Sequence, residues 1–266
     1  MHSVLTINSG SSSLRFALFN AVESLPGILI GKFERIGLSD AKVSFTDFLA
    51  QRSDERMIDA PDHVACVPLL VALLEKNTGV SALGAIGHRL VHGAPRYRNP
   101  VRVDGAVLKE LRLISSFAPN HLPAAIALLE AFAAKFPQVP QIACFDTAFH
   151  STLPRVAKGL PIPRRYEAKG VQRYGFHGLS CSFLMQELES VAGAKAANGR
   201  VILAHLGNGA SMTAVRDGKS MDTSMGFTPA ADLVMSTRSG DLDPGLVAFL
   251  GSNEQMTGTQ FDRMKN

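Results

Sequence analysis

The chain has 266 residues, of which 46% are hydrophobic and 19% charged, and its net charge is +4. That length allows two modest domains or one large one, and the apolar share is enough for a globular core. The composition excludes three classes: its basic residues form no nucleic-acid stripe, its cysteines (Cys66, Cys144, Cys181) are too few and scattered for a disulfide framework or zinc site, and no apolar run spans a membrane.

Ser3 to Ile7 reads as an apolar strand that begins at once, without a leader-like segment, which makes cytoplasm the expected compartment. A turn of Asn8-Ser9-Gly10-Ser11-Ser12 follows, and Ser13 to Phe19 alternates as a second strand. Residues 31–48 continue a sheet, and the polar stretch from Gln51 to Asp62 reads as a loop. Val64 to Lys76 has helical apolar spacing, with Gly79 as its stop, and Ala85 to His92 reads as a strand. Pro123 opens a helix over 124–135, Pro137 ends it, and Val139 to Phe145 is a short buried strand with Cys144 as a buried thiol. A Pro- and Arg-rich segment from Ser151 to Glu167 marks a boundary, giving domains over 1–150 and 151–266. Beyond it the spacing predicts a helix from about Ser180 to Val191, with Phe183, Leu184, Leu188 and Val191 on one face. Arg200 to Ala204 is then a strand, His205-Leu206-Gly207-Asn208-Gly209 a turn, Ala210 to Val215 a strand, and Asp217-Gly218 a two-residue hairpin turn.

The two glycine-bearing hairpins are therefore variations on one device. Successive exposed N–H groups in such a turn form a concave anion site, and glycine admits the ligand closely. Either alone is an ordinary surface turn; two in one chain point to a polyphosphate gripped by two lobes. Three other motifs fail on inspection. Gly218-Lys219-Ser220 lacks the earlier glycine and following helix of a Walker loop, His88 and His92 sit in a strand pattern rather than a zinc-binding helix, and His88-Arg89 lacks the aspartate of a kinase catalytic loop.

Four more segments are denser in polar groups than a core requires: Gly87 to Gly93, Phe145 to His150, Arg173 to Gly178, and Thr237 to Asp241. With the hairpins, in this order and spacing, they resemble the acetate kinase family over essentially the whole chain. The resemblance implies an α/β fold of duplicated actin-like, sugar-kinase (ribonuclease H-like) domains around a nucleotide cleft. It implies reversible transfer of the ATP γ-phosphoryl group to acetate, with Mg2+ (or Mn2+) and ATP as co-substrate. It also implies a homodimer, with acetate, acetyl phosphate, ATP and ADP as the molecules bound, and neither nucleic acid nor membrane.

By the same resemblance Arg89 binds the carboxylate substrate, while Val91, Phe176 and Pro229 line a pocket for its methyl group. Asp146, His177 and Arg238 are the catalytic set. Arg15, Ser11, Ser13 and the run His205, Leu206, Gly207, Asn208, Gly209 contact ATP phosphates, and Asn8 is associated with the metal. The residue chemistry agrees independently. A carboxylate is already ionised, so transfer needs alignment and charge neutralisation more than a base, and Arg89 and Arg238 offer planar forks for oxygen anions.

The chain departs from the family pattern at Arg15, commonly Lys, at Asn120, usually Leu, and at Leu179-Ser180-Cys181, usually Thr-Ser-His. Asn120 leaves propionate or butyrate as an alternative acyl substrate. The chain stops at Met264-Lys265-Asn266, where family members continue with an adenosine loop, so the second domain is expected to be incomplete. Little kinase activity, or a non-catalytic binding role, is the corresponding expectation for these 266 residues.

Overall fold

Strands β1 (Ser3–Ser9) and β2 (Ser13–Asn20) pair antiparallel in unbroken register, from Ser3 opposite Asn20 to Ser9 opposite Leu14, in the computed structural model, which describes residues 2–78 and 83–264. Gly79, expected to stop a helix, lies outside the described residues. The chain divides into two compact units, residues 1–93 with 99–145, and residues 94–98 with 146–266.

In the first unit β3 (Gly27–Glu34), β4 (Lys42–Asp47) and β5 (Arg52–Met57) extend the meander from β2. Helix α1 (Cys66–Thr78) leads to β6 (Leu83–Leu90), which pairs parallel with the other edge of β1. Strand β7 (Val101–Arg102), helices α2 (Gly105–Leu113) and α3 (Leu122–Lys135), and strand β8 (Gln141–Phe145) complete the unit; β8 lies parallel to β6 and carries β7 at its outer edge. The result is a mixed eight-stranded sheet in the order β5-β4-β3-β2-β1-β6-β8-β7.

Strand alternation decides which face is dry. Leu5, Ile7, Leu14, Phe16, Leu18, Leu29, Phe33, Val43 and Ile86 are buried in one core with Leu70, Val71 and Leu74 of α1 and Leu128 and Phe132 of α3. Each such side chain taken fully out of water contributes about 1.5–3 kcal/mol. The intervening residues, among them Thr6, Asn8, Arg15, Lys32 and Ser44, occupy the opposite face.

The stretch expected to be a loop contains β5, whose six residues are all exposed. Apart from Met57 nothing in this strand is apolar; it is held by its ladder to β4, the Thr46–Ser53 hydroxyl contact at 2.9 Å and the Lys42–Glu55 ion pair at 3.0 Å. Cys144 is half-buried rather than buried, although desolvation still raises its thiol pKa.

In the second unit the short helix α4 (Arg155–Lys158) precedes α5 (Gly178–Ala192) and α6 (Ala194–Ala197). Strands β9 (Arg200–Leu206), β10 (Ala210–Arg216) and β11 (Lys219–Thr223) form a three-stranded antiparallel sheet in the order β11-β10-β9, and helices α7 (Gly245–Asn253) and α8 (Gly258–Met264) follow. Asp217 (φ 53°) and Gly218 (φ 69°) both turn left-handed between β10 and β11, as a two-residue hairpin of this twist requires. Helix α5 packs on the sheet through Cys181 and Met185, with Leu184 and Leu188 beside them and Leu203 and Val215 beneath. The expected face is rotated: Phe183 is 58% and Val191 84% exposed. Cys181 and Met185 take the buried positions instead, and the first turn sits tightly against the preceding loop, since a Cβ on Gly178 would lie 2.1 Å from the Asp146 carbonyl oxygen.

Candidate active site

In the first unit three of the residues singled out from the sequence, Asn8, Arg15 and Arg89, fall on one cross-strand row of the wet face. Asn8 of β1 stands opposite Arg15 of β2 on one side and Arg89 of β6 on the other. Arg89 Nη1 donates to Asn8 Oδ1 at 3.1 Å. Lys32, which sequence reasoning missed, extends the row as the registered partner of Arg15. Like charges directly opposite one another destabilise a sheet, so this arrangement carries a cost that an anion above it would offset. Glu34, bonded to Lys32 at 2.9 Å, relieves part of it, and that bond holds the Glu34 carboxyl below its ordinary pKa. The row borders a groove of about 800 Å³ lined also by Thr6, Ser44 and Glu55.

The first hairpin turn is closed by Gly10 N–H donating to the Ser13 carbonyl at 2.8 Å, and His63 Nε2 meets the Gly10 carbonyl at 2.9 Å. Ser11 is exposed and Ser13 half-buried at its rim. Val91 is buried just beyond β6. His88, on the dry face of β6, donates from Nε2 to Gln141 Oε1 at 2.7 Å and meets Phe132 edge-on; burial pushes its pKa down to about 4.

In the second unit Asp146 follows β8 and is 2% exposed. Its carbonyl accepts from Gly178 N–H at 2.8 Å, which ties the aspartate to the start of α5. His177 caps that helix with a left-handed backbone (φ 59°), a conformation that costs energy in a non-glycine residue and is concentrated at functional sites. Its ring stacks on His205 of β9, with centroids 3.9 Å apart and planes 19° apart. Leu206, next in β9, is exposed, and the turn Gly207-Asn208-Gly209 joins β9 to β10.

This turn is where two of the three expected catalytic groups, His177 and Arg238, meet. A Cβ built on Gly209 would lie 3.0 Å from His177 Nε2 and 3.1 Å from Arg238 Nη1. A neutral or charged imidazole and a guanidinium therefore converge on the backbone of the second hairpin. Arg238 is held in a tight loop by the paired backbone of Met235 and by Met235 Sδ at 3.3 Å, and Asp241 closes the same loop by accepting from Asp232 N–H at 2.7 Å. Phe176 is buried at 1% exposure and Pro229 is half-buried.

His150, also buried, donates from Nε2 to the Phe176 carbonyl at 2.8 Å, and its Nδ1 lies 2.9 Å from Ser220 Oγ. Desolvation lowers its pKa, so it is a neutral strut under Phe176. Two hydroxyls that sequence reasoning did not single out complete the cluster: Ser211 Oγ is 2.8 Å from His177 Nδ1, and Ser180 Oγ is 3.0 Å from His205 Nδ1. Their signal is tertiary, since only the packing of α5 on β9 and β10 brings them to the rings.

A resident metal does not suit these donors. Among the described residues no three His, Cys, Asp or Glu side chains are grouped to hold one, and Asn8 offers a single amide oxygen that Arg89 already engages. Magnesium bound together with substrate phosphates needs only one or two protein oxygens. The residues fit a cation that arrives on a polyphosphate.

The model of the acetokinase family matches residues 3–266. The chain belongs to the acetokinase family. Acetate kinase 2 of Photobacterium profundum is 43% identical over 248 residues, which are 93% of this chain and 62% of that protein. Acetate kinase of Chromobacterium violaceum is 38% identical over 267 residues, 99% of this chain and 66% of that protein. The chain thus spans under two thirds of the length of these acetokinase relatives. Among solved structures, a propionate kinase from Francisella tularensis superposes with TM-score 0.92 at 35% identity, and the acetate kinase of Porphyromonas gingivalis with 0.86 at 32%; each alignment covers all of this chain and 68% of the other. The α/β architecture expected from the hairpins is therefore that of the acetokinase family.

Proposed function

We propose that this protein transfers the γ-phosphoryl group of ATP to acetate, reversibly and in line, giving acetyl phosphate and ADP. The convergence of His177 Nε2 and Arg238 Nη1 on Gly209 is the observation that carries the reading. Phosphoryl transfer puts charge on the equatorial oxygens, and prealigned donors aimed at that charge supply most of the catalysis. Arg238 contributes a permanent cation and His177 a directional donor. Arg89, paired with Asn8, is the fork for the substrate carboxylate; Val91, Phe176 and Pro229 belong to its methyl pocket. Arg15, Ser11 and Ser13 contact phosphate at the first hairpin, as His205 to Gly209 do at the second. Asp146 acts as an orienting carboxylate, because acetate has no proton to give up.

Magnesium (or manganese), carried on the polyphosphate, would neutralise phosphate charge, with Asn8 as its protein oxygen. The two units correspond on this reading to the two lobes of a duplicated phosphotransferase, working as a homodimer in the cytoplasm. No helix among the described residues is long and apolar enough to cross a membrane, which is compatible with that setting.

The test is a titration of the protein with inorganic pyrophosphate and with acetyl phosphate, run beside a hydroxamate assay with acetate, propionate and Mg-ATP. Arg238→Ala is expected to weaken both ligands and to lower any turnover on the order of 10²–10³-fold. Absence of binding to either ligand would sink the proposal. Binding without hydroxamate formation would favour the non-catalytic role, and faster turnover of propionate would move the substrate assignment to the longer acid.

A further inference from the structure

Three cross-strand rows line the face of β9 and β10 beneath α5. Val201 stands opposite Val215, Leu203 opposite Thr213, and His205 opposite Ser211. The face thus passes from apolar to polar toward the hairpin turn. His177 closes its polar end in two ways, stacking on His205 and meeting Ser211 through Nδ1. Ser211 is 1% exposed, so its hydroxyl has been taken out of water to make this contact. The second ring is braced in the same manner, with Ser180 of α5 on Nδ1 of His205.

Both Nε2 atoms then lie beside the turn. His177 Nε2 is 3.0 Å from the Cβ position of Gly209, and His205 Nε2 is 4.0 Å from that of Gly207. A neutral imidazole carries one proton, and the partner of one nitrogen decides which nitrogen holds it. A carbonyl on Nδ1 would force the proton there and leave a bare lone pair facing an anion. A serine hydroxyl can donate instead. The same unit contains such a pair: His150 must give its Nε2 proton to the Phe176 carbonyl, so Ser220 donates to its Nδ1.

We infer that Ser211 and Ser180 are positioning residues that donate to Nδ1 of His177 and His205, so that both rings present Nε2–H to phosphoryl oxygens at the Gly207–Gly209 turn. The ligand's identity rests on the phosphotransfer reading above; the tautomers do not.

The experiment is long-range proton–nitrogen NMR of the protein labelled at histidine nitrogen, recorded above the ordinary imidazole titration range. Expected are single Nε2–H tautomers for both residues, a tautomer mixture at His177 in Ser211→Ala, a mixture at His205 in Ser180→Ala, and retention of Nε2–H in Ser211→Thr. Pyrophosphate affinity is expected to fall about tenfold in Ser211→Ala, the scale of one lost buried hydrogen bond, and to recover in Ser211→Thr. An Nδ1–H tautomer in the parent protein, or spectra unchanged by Ser211→Ala, would overturn the inference. The expected tautomers in a protein that binds no pyrophosphate would uphold the positioning and reject the phosphate reading instead.

Discussion

At Gly209 a single hydrogen atom keeps two catalytic candidates in place. Alanine there would put its methyl 3.0 Å from His177 Nε2 and 3.1 Å from Arg238 Nη1, closer than ordinary van der Waals contact allows. Both groups end flexible or rotatable side chains, so the fold should accommodate the change while the donors move apart. Gly209→Ala is accordingly expected to weaken pyrophosphate by about tenfold or more, in line with losing a directed donor, with little change in melting temperature. A titration calorimeter and a thermal scan on one preparation check both halves, and unchanged affinity would show that the two donors do not act at this turn. The identities of His177, Arg238 and Arg89 were legible in the sequence because their motifs are long and ordered. Ser211 and Ser180 were not, since serine in a strand or first helical turn has many ordinary uses and only the stacked rings give these two a task.

Helix α5 joins the two kinds of information. Its start was legible to within two residues, expected near Ser180 and found at Gly178, but its buried face was not, because Phe183 and Val191 advertise an apolar stripe that the structure leaves in solvent. At the helix start Gly178 N–H donates to the Asp146 carbonyl at 2.8 Å, and a Cβ there would lie 2.1 Å from that oxygen. Gly178→Ala should therefore cost about 1–3 kcal/mol through overpacking and shift both Asp146 and His177. Gly105→Ala is the matched control: nothing lies within 4 Å of its Cβ position at the start of α2. There the smaller unfolded-state entropy should stabilise the protein by about 0.4–1 kcal/mol. Urea midpoints of the two variants are expected to move in opposite directions, and a common direction would contradict the contact argument. Strand β5 marks the other limit of sequence reading. Six exposed residues carry no periodic burial, and pairing with β4 alone makes them a strand.

Across the whole molecule burial, not number, decides what the histidines do to stability. His177 and His205 edge the Gly207–Gly209 turn, whereas His88, His92 and His150 are buried. Burial lowers the pKa of His88 and His92 to about 4 and lowers that of His150 as well. In the unfolded chain each returns to about 6.5. Between those values the unfolded state binds more protons than the folded one, so stability rises with pH across the window and falls as acid is added. The contribution is fully present above about pH 6.5, is lost progressively toward pH 4, and amounts to roughly 3 kcal/mol for His88 and the same for His92. The first unit, which holds both residues, should therefore lose stability as acid is added, starting above the range in which its carboxylates titrate. His88→Gln keeps a donor for Gln141 Oε1 and removes one of the titrating rings. Urea unfolding followed from about pH 7.5 to about pH 4.5 should show a falling midpoint in the parent protein and a shallower fall in His88→Gln. Parallel slopes would mean that His88 takes up protons equally in the folded and unfolded chain, so that its burial against Phe132 and its 2.7 Å bond to Gln141 do not depress its pKa.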